Sequence, residues 1–231
     1  MALPDDVIIE IFEYLEFPQI WQLQYLNKSL RKLMKEHRWN QIFYSHNLTD
    51  DILIDIIKNW NICKIELFGF CDNLNDKSLK QLGGMEYINL CECYQLTDES
   101  VKEFGNVKYL NLYTCCQITD KSVKKLGNVI ELNLNYCGNV TDKSVKELKN
   151  VKKLTLYWCN SITDDGIKDL KNIEELDICG CSNITNSGIM GLKKLKSLHI
   201  DDLFYFKKNT KITKDCVKIL KKRGVRVTEH I

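Results

Sequence analysis

The sequence predicts an α/β solenoid of strand–helix turns behind a short, all-helical N-terminal segment. Three observations carry this. A unit of 22 residues recurs five times without insertion, starting at Met85, Val107, Val129, Val151 and Ile173. A copy one residue longer precedes it from Ile62, and a stretched copy follows from Leu195. Residues 1–46 carry helical apolar spacing without that period. A repeat of this length cannot bury its own apolar side, so neighbouring copies stack into one continuous core.

The chain opens Leu3-Pro4-Asp5-Asp6-Val7-Ile8-Ile9-Glu10-Ile11-Phe12-Glu13-Tyr14-Leu15. Val7, Ile8, Ile11, Phe12 and Leu15 form an amphipathic stripe. Pro4 suits a helix start, and Asp5 and Asp6 favour the positive end of the helix. Pro18 breaks the run, and a second helical pattern passes through Ile20, Leu23, Leu26, Leu30 and Leu33. Trp39, Ile42 and Phe43 offer a bulky cluster for joining the next layer. Leu48, Asp50, Leu53 and Ile56 match the second half of the repeat and predict an incomplete turn over residues 48–59.

The unit Val107–Asn128 shows how one turn is built. Leu110 and Leu112 alternate around Asn111, as a short strand with one buried face requires. Cys115 and Ile118 turn the chain inward. Thr119 and Asp120 carry oxygens that can accept the first free N–H groups of a helix. Val123 and Leu126 share one helix face, and Gly127-Asn128 ends it. The aspartates at position fourteen are expected to be helix caps. In the last copy, Ile212, Val217 and Leu220 continue the apolar positions, and Val225 and Val227 predict a final strand over the open end.

The shared text, roughly V-x-x-L-x-L-x-x-C-x-x-I-T-D-x-S-V-K-x-L-x-N, resembles the leucine-rich repeat in its cysteine-containing subclass. The resemblance runs from Ile62 to the C-terminus, about seven turns. The L-P-D-D-V-I-I-E-I-F-E-Y-L opening resembles an F-box. One departure is that Asn27-Lys28-Ser29-Leu30 stands where that family often has C-K-R-W. The expected organisation is an F-box-like helical domain over 1–46 and a solenoid over 47–231, with regular repeats at 62–224 and a cap at 225–231.

Together the two resemblances imply a substrate receptor of an SCF-type ubiquitin ligase. The F-box would dock on a Skp-type adaptor and, through it, a cullin–RING ligase. The motif match makes Leu3, Pro4, Val7, Ile8, Ile11, Leu15, Leu26 and Leu30 the adaptor-facing candidates. The alternatives are a non-ubiquitinating scaffold, an adaptor sequesterer or an inhibitor, and a helical segment that only caps the solenoid.

Such a receptor binds its target on the concave strand face, in columns that vary while the core holds. The candidate residues are Tyr87, Tyr109, Tyr113, Glu131, Tyr136, Tyr157, Trp158, Glu175, Asp177 and Asp201. Tyr and Trp are the side chains expected at interface anchors, and the acidic residues point to a protein target with a basic segment. Asn89, Asn111 and Asn133 are expected to hydrogen-bond along the stack.

Composition narrows the function classes. The chain has 231 residues, a net charge of +2 and 44% hydrophobic content, which gives no global pull toward nucleic acid. The basic run from Lys207 to Arg226 is expected to be the solvated face of a last helix. Four scattered histidines and the lack of a Gly-rich phosphate loop argue against an enzyme, and no cofactor is expected. Of 11 cysteines, Cys71, Cys93, Cys115, Cys137, Cys159 and Cys181 fill one interior column. Neighbouring side chains in that column point the same way, so unpaired thiols are expected. Cys91 and Cys179 are expected on the exposed strand face, and no pair has zinc-ligand spacing. No signal peptide or membrane span is expected. An intracellular protein of a eukaryotic cell follows, and low Pro with abundant Lys, Asn and Ile hints at an AT-rich genome, such as that of a protist or a large DNA virus.

Overall fold

The computed structural model describes residues 4–13, 19, 28–39, 42–44, 48–69, 71–200 and 211–228. Among the described residues, helices α1 (Asp5–Glu13) and α2 (Lys28–Glu36) precede one parallel sheet of nine strands that run in chain order. The strands are β1 (Phe43–Tyr44), β2 (Lys64–Glu66), β3 (Tyr87–Asn89), β4 (Tyr109–Asn111) and β5 (Glu131–Asn133). β6 (Lys153–Thr155), β7 (Glu175–Asp177), β8 (Ser197–His199) and β9 (Arg226–Thr228) complete it. Every crossover carries helical residues, which lie behind the sheet. They are α3 (Asp50–Asn59), α4 (Asp76–Leu79), α5 (Asp98–Val101), α6 (Asp120–Val123), α7 (Asp142–Val145), α8 (Asp164–Ile167), α9 (Asn186–Met190) and α10 (Lys214–Lys222).

The register does not slip: Tyr109 pairs with Glu131, Leu110 with Leu132 and Asn111 with Asn133, and the same match holds in the turns on either side. A shift of one residue would expose the whole leucine column. Leu110, Leu112, Leu132, Leu134, Leu154 and Leu156 are buried instead, with Val123, Leu126, Val145 and Leu148 behind them. The sheet begins earlier than the repeat text suggests. β1 pairs with β2, and Trp39 bridges Ile62, so the turn over 48–59 has its own strand. The strand is two residues long, too short to show a period.

The cysteine column explains its own residue type. The Sγ of Cys115 donates to the Leu90 carbonyl at 3.2 Å, Cys137 to Leu112 at 3.2 Å, Cys159 to Leu134 at 3.0 Å and Cys181 to Leu156 at 2.9 Å. Each thiol is a small apolar filler that still satisfies a buried carbonyl of the preceding turn. Burial pushes Cys115 and Cys159 up to about 12, so they stay protonated and unreactive at neutral pH. The first pair corrects the expectation of unpaired thiols: Cys71 and Cys93 form a disulfide, with Cα atoms 5.2 Å apart. The first copy is one residue longer, and the extra residue falls between the left-handed Gly69 and Cys71.

Behind the sheet, a carboxylate row ties turn to turn. The N-cap of α4 is Asn75, and that of each short helix from α5 to α9 is threonine (Thr97, Thr119, Thr141, Thr163 and Thr185); each side-chain oxygen accepts an N–H two residues on. The aspartate that follows does not cap its own helix. Asp98 accepts from the Thr119 N–H at 2.8 Å, the Thr119 hydroxyl at 2.6 Å and the buried Ser122 hydroxyl at 2.6 Å. Asp120 repeats this with Thr141 and Ser144. Burial raises the Asp98 carboxyl, but the donors on Ser122 and Thr119 outweigh it and hold it below its ordinary value, and Asp120 is lowered in the same way. In the next two turns the serine gives way to Gly166 and Gly188. There the carboxylates of Asp142 and Asp164 crowd the space a Cβ would take.

At the C-terminal end, α10 buries Cys216, Val217 and Leu220 while its lysines stay outside, and β9 pairs with β8 as the final strand. No described helix is long and apolar enough to cross a membrane.

Candidate functional site

Two surfaces carry candidate residues. On the N-terminal helices, Pro4 is exposed, and its carbonyl accepts the Ile8 N–H at 3.1 Å at the head of α1. Along α1, Val7 and Ile8 are half-buried and Ile11 is 46% exposed. Ile8 and, on α2, Leu30 pack against the main hydrophobic core. The structure thus separates these candidates: Ile8 and Leu30 pack inward on the core, while Ile11 and Pro4 face solvent. Leu3, Leu15 and Leu26 lie outside the described residues. Trp39 anchors this end. It is 1% exposed, its indole N–H donates to the Met34 carbonyl at 2.8 Å, and its carbonyl accepts from the Cys63 thiol at 3.0 Å.

The second surface is the open face of the sheet. Its six aromatic candidates fall into two groups rather than one. Tyr87 and Tyr109, paired across β3 and β4, stack with ring centroids 4.2 Å apart and planes within 3°. Burial, then the neighbouring Tyr109, pushes the Tyr87 phenol well above its ordinary value. The other group lies past the strand ends. Tyr136 meets Tyr113 edge-on at 5.5 Å and Tyr157 at 5.1 Å, and it lies near-parallel to Trp158 at 6.5 Å. Trp158 and Tyr157 meet at 6.3 Å. These four side chains are half-buried, so each keeps part of its surface on solvent.

The polar candidates are placed unequally. Glu131 is paired in the sheet between Tyr109 and Lys153. The Glu175 carboxylate lies 3.3 Å from the Lys153 ammonium. Asp177 accepts the Cys179 N–H at 3.0 Å. Asp201 lies outside the described residues. The asparagines correct their expectation: Asn111 and Asn133 do not bond along the stack but accept the N–H two residues on, at 3.0 and 2.9 Å. Asn89 does the same for Cys91 and also donates to Glu66 in the preceding turn. Thr155 is too short for this role, so the Tyr157 N–H goes to Asn135 of the preceding turn at 2.8 Å.

Cys91 and Cys179 also correct their expectation, since they are 6% and 3% exposed. Each is a short side chain in a column that elsewhere holds Phe68, Tyr113 and Tyr157, so it sits below its bulkier neighbours. Burial pushes Cys91 up to about 11. Among the described residues, no group of three or more His, Cys, Asp or Glu is placed to hold a metal ion.

One feature of this face is invisible in the repeat text. In the described turns from Gly69 to Gly180, position eight has left-handed backbone. Gly69 and Gly180 fill it at the two ends, but Glu92, Thr114, Tyr136 and Trp158 occupy it between, at φ 61°, 58°, 59° and 61°. Side chains at this φ crowd their own backbone, most severely for β-branched and bulky residues. The available signal was the pair of glycines in a column otherwise free of them.

A family model for the F-box domain matches residues 1–42. The chain is similar to one in the crystal structure of the Rad7 and Elc1 complex in yeast, at 15% identity and a TM-score of 0.60, over 81% of this chain and 53% of that one. It is also similar to a leucine-rich-repeat protein of Leptospira interrogans, at 18% identity and a TM-score of 0.48, over 88% of this chain and 51% of that one. The chain thus spans about half the length of the yeast chain it matches. No curated protein matches the sequence.

Proposed function

We propose that this chain, an F-box domain at residues 1–42 followed by a leucine-rich-repeat solenoid, is the substrate-recognition subunit of an SCF-type ubiquitin ligase. The observation that carries the reading is the F-box match directly ahead of an open, parallel, chemically varied sheet face. The F-box docks on a Skp-type adaptor, and the adaptor joins the chain to a cullin–RING ligase. The sheet face holds a protein target with a basic segment. The chain itself supplies proximity, raising the local concentration of target lysines at the loaded enzyme, and needs no catalytic group for that.

Ile11 and Pro4 are the described side chains best suited to the adaptor, because they are exposed while Ile8 and Leu30 serve the core. Leu30 also supports a second reading. It stands where the family often has an aromatic and packs inward, which suits a chain that binds an adaptor weakly or holds it without transferring ubiquitin. Transfer in a reconstituted ligase separates the two.

The test is co-purification with a Skp-type adaptor, wild type beside Ile11→Glu. The expected result is a wild-type complex that the variant loses while its melting temperature stays unchanged. A folded wild-type chain that captures no adaptor would contradict the proposal and leave the N-terminal helices as a cap for the first turn.

A further inference from the structure

Within that receptor reading, we infer that the left-handed row Glu92, Thr114, Tyr136 and Trp158 is where the sheet face reads its target. It takes an extended protein segment with two basic side chains, one on the rings of Tyr136, Tyr157 and Trp158 and one at Glu92.

The first reason is conformational. The fold needs a left-handed residue at position eight but no side chain there, since Gly69 and Gly180 occupy it at either end of the row. Glycine reaches this region without steric cost, whereas threonine and the aromatics are strained in it. Packing accounts for part of the row only. Tyr136 and Trp158 join the ring group, but Glu92 and Thr114 take part in no ring contact. Among the described residues, the Glu92 carboxylate has no ion pair and no hydrogen bond.

The second reason is charge. The strand-face columns from Lys64 to His199, with the left-handed row, carry Glu66, Glu92, Glu131, Glu175 and Asp177 against Lys64 and Lys153. Lys153 is already paired with Glu175. This face is acidic in a chain whose net charge is +2. It repels a phosphate backbone and attracts a basic segment.

The third reason is the ring geometry. Tyr136 lies edge-on to Tyr113 and Tyr157 and parallel to Trp158, so π-faces turn in more than one direction within 6.5 Å. A guanidinium or ammonium set over such faces is held by the ring quadrupoles. Three stacking steps of about 4.8 Å separate Glu92 from Trp158, a span covered by about four residues of extended chain. The segment therefore crosses the strands along the row, with its two basic residues about four apart.

The test is selection of random twelve-residue peptides displayed on phage against the full chain, followed by titration of the selected synthetic peptides. The expected peptides carry paired Arg or Lys about four positions apart. Tyr136→Gly is expected to weaken them about tenfold with a melting temperature equal to or above wild type. Glu92→Lys, which keeps the rings, is expected to weaken them as well and guards against a folding defect in the first variant. Peptides without basic residues, no enrichment at all, or affinity unchanged in both variants would overturn the inference. Loss of adaptor binding with basic peptides still selected would instead overturn the receptor reading alone.

Discussion

The two sides of the solenoid obey different rules. On the helix side, Asp76, Asp98, Asp120, Asp142 and Asp164 each bond the threonine of the next turn, and the chemistry of that contact does not change along the stack. On the sheet side, the paired positions read Tyr87, Tyr109, Glu131, Lys153, Glu175, Ser197, so aromatic, acidic and basic groups succeed one another in a single register. Repetition serves an interface that is the same at every turn. Variation on an identical backbone is not required by the repeat itself. The strain follows the same division: the helix side satisfies its polar groups, while the sheet side holds four non-glycine residues in left-handed backbone.

The largest effect is expected in the core that both sides share. Leu132→Ala, at a site 2% exposed, is expected to cost about 2–5 kcal/mol, read as a fall in urea midpoint with unchanged slope. On the helix side, Asp120→Ala strands the donors of Thr141, leaves Ser144 only its longer bond to the Thr141 carbonyl, and is expected to cost about 1–3 kcal/mol. Asp142→Ala is the sharper control. Gly166 brings no hydroxyl to that carboxylate, so the loss in urea melts should be smaller than for Asp120. Equal losses would mean that the serine bond adds nothing.

Acid probes the same row without mutation. The folded Asp98 and Asp120 carboxyls lie below their ordinary value. Their stabilisation is therefore complete above the unfolded value of about 3.9 and is lost as pH falls through the lower folded values. Urea unfolding at a series of pH values should show wild-type stability dropping below about pH 4, and the drop should be shallower in an Asp98→Asn, Asp120→Asn double variant. On the sheet side the smallest effect is expected, and with the opposite sign. Thr114→Gly relieves left-handed backbone and loses one hydroxyl bond to the Tyr113 carbonyl, for a net gain of about 0–1 kcal/mol. A clear loss in the thermal melt would place Thr114 among the structural residues.

Much of this architecture is legible in the sequence because the repeat states it several times. Leu110 and Leu112, Val123 and Leu126, and their equivalents mark strand and helix in each copy, and their period sets the register. Contacts between copies are less legible. Asp120 looks like a cap of its own helix, because the reach to Thr141 and Ser144 depends on stacking and not on local spacing. Cys91 reads as an exposed strand residue until its short side chain is seen beside Phe68 and Tyr113. β1 carries no period and became visible only through its pairing with Ile65 and Glu66. On the candidate surfaces, the aromatic and acidic columns could be read directly, whereas the strain at Tyr136 and Trp158 is a backbone property with Gly69 and Gly180 as its only textual trace. On α1, one amphipathic stripe held both core and exposed residues, and burial was needed to separate Ile8 from Ile11.

The division of labour between the N-terminal helices and the sheet face is tested most directly by amide hydrogen exchange of the full chain with and without a Skp-type adaptor. Added protection in α1 and α2, with β3 to β7 unchanged, is the expected result and leaves the sheet face free for a target. Protection spread over β3 to β7 with none in α1 would contradict the account, since the adaptor would then occupy the surface assigned to the target.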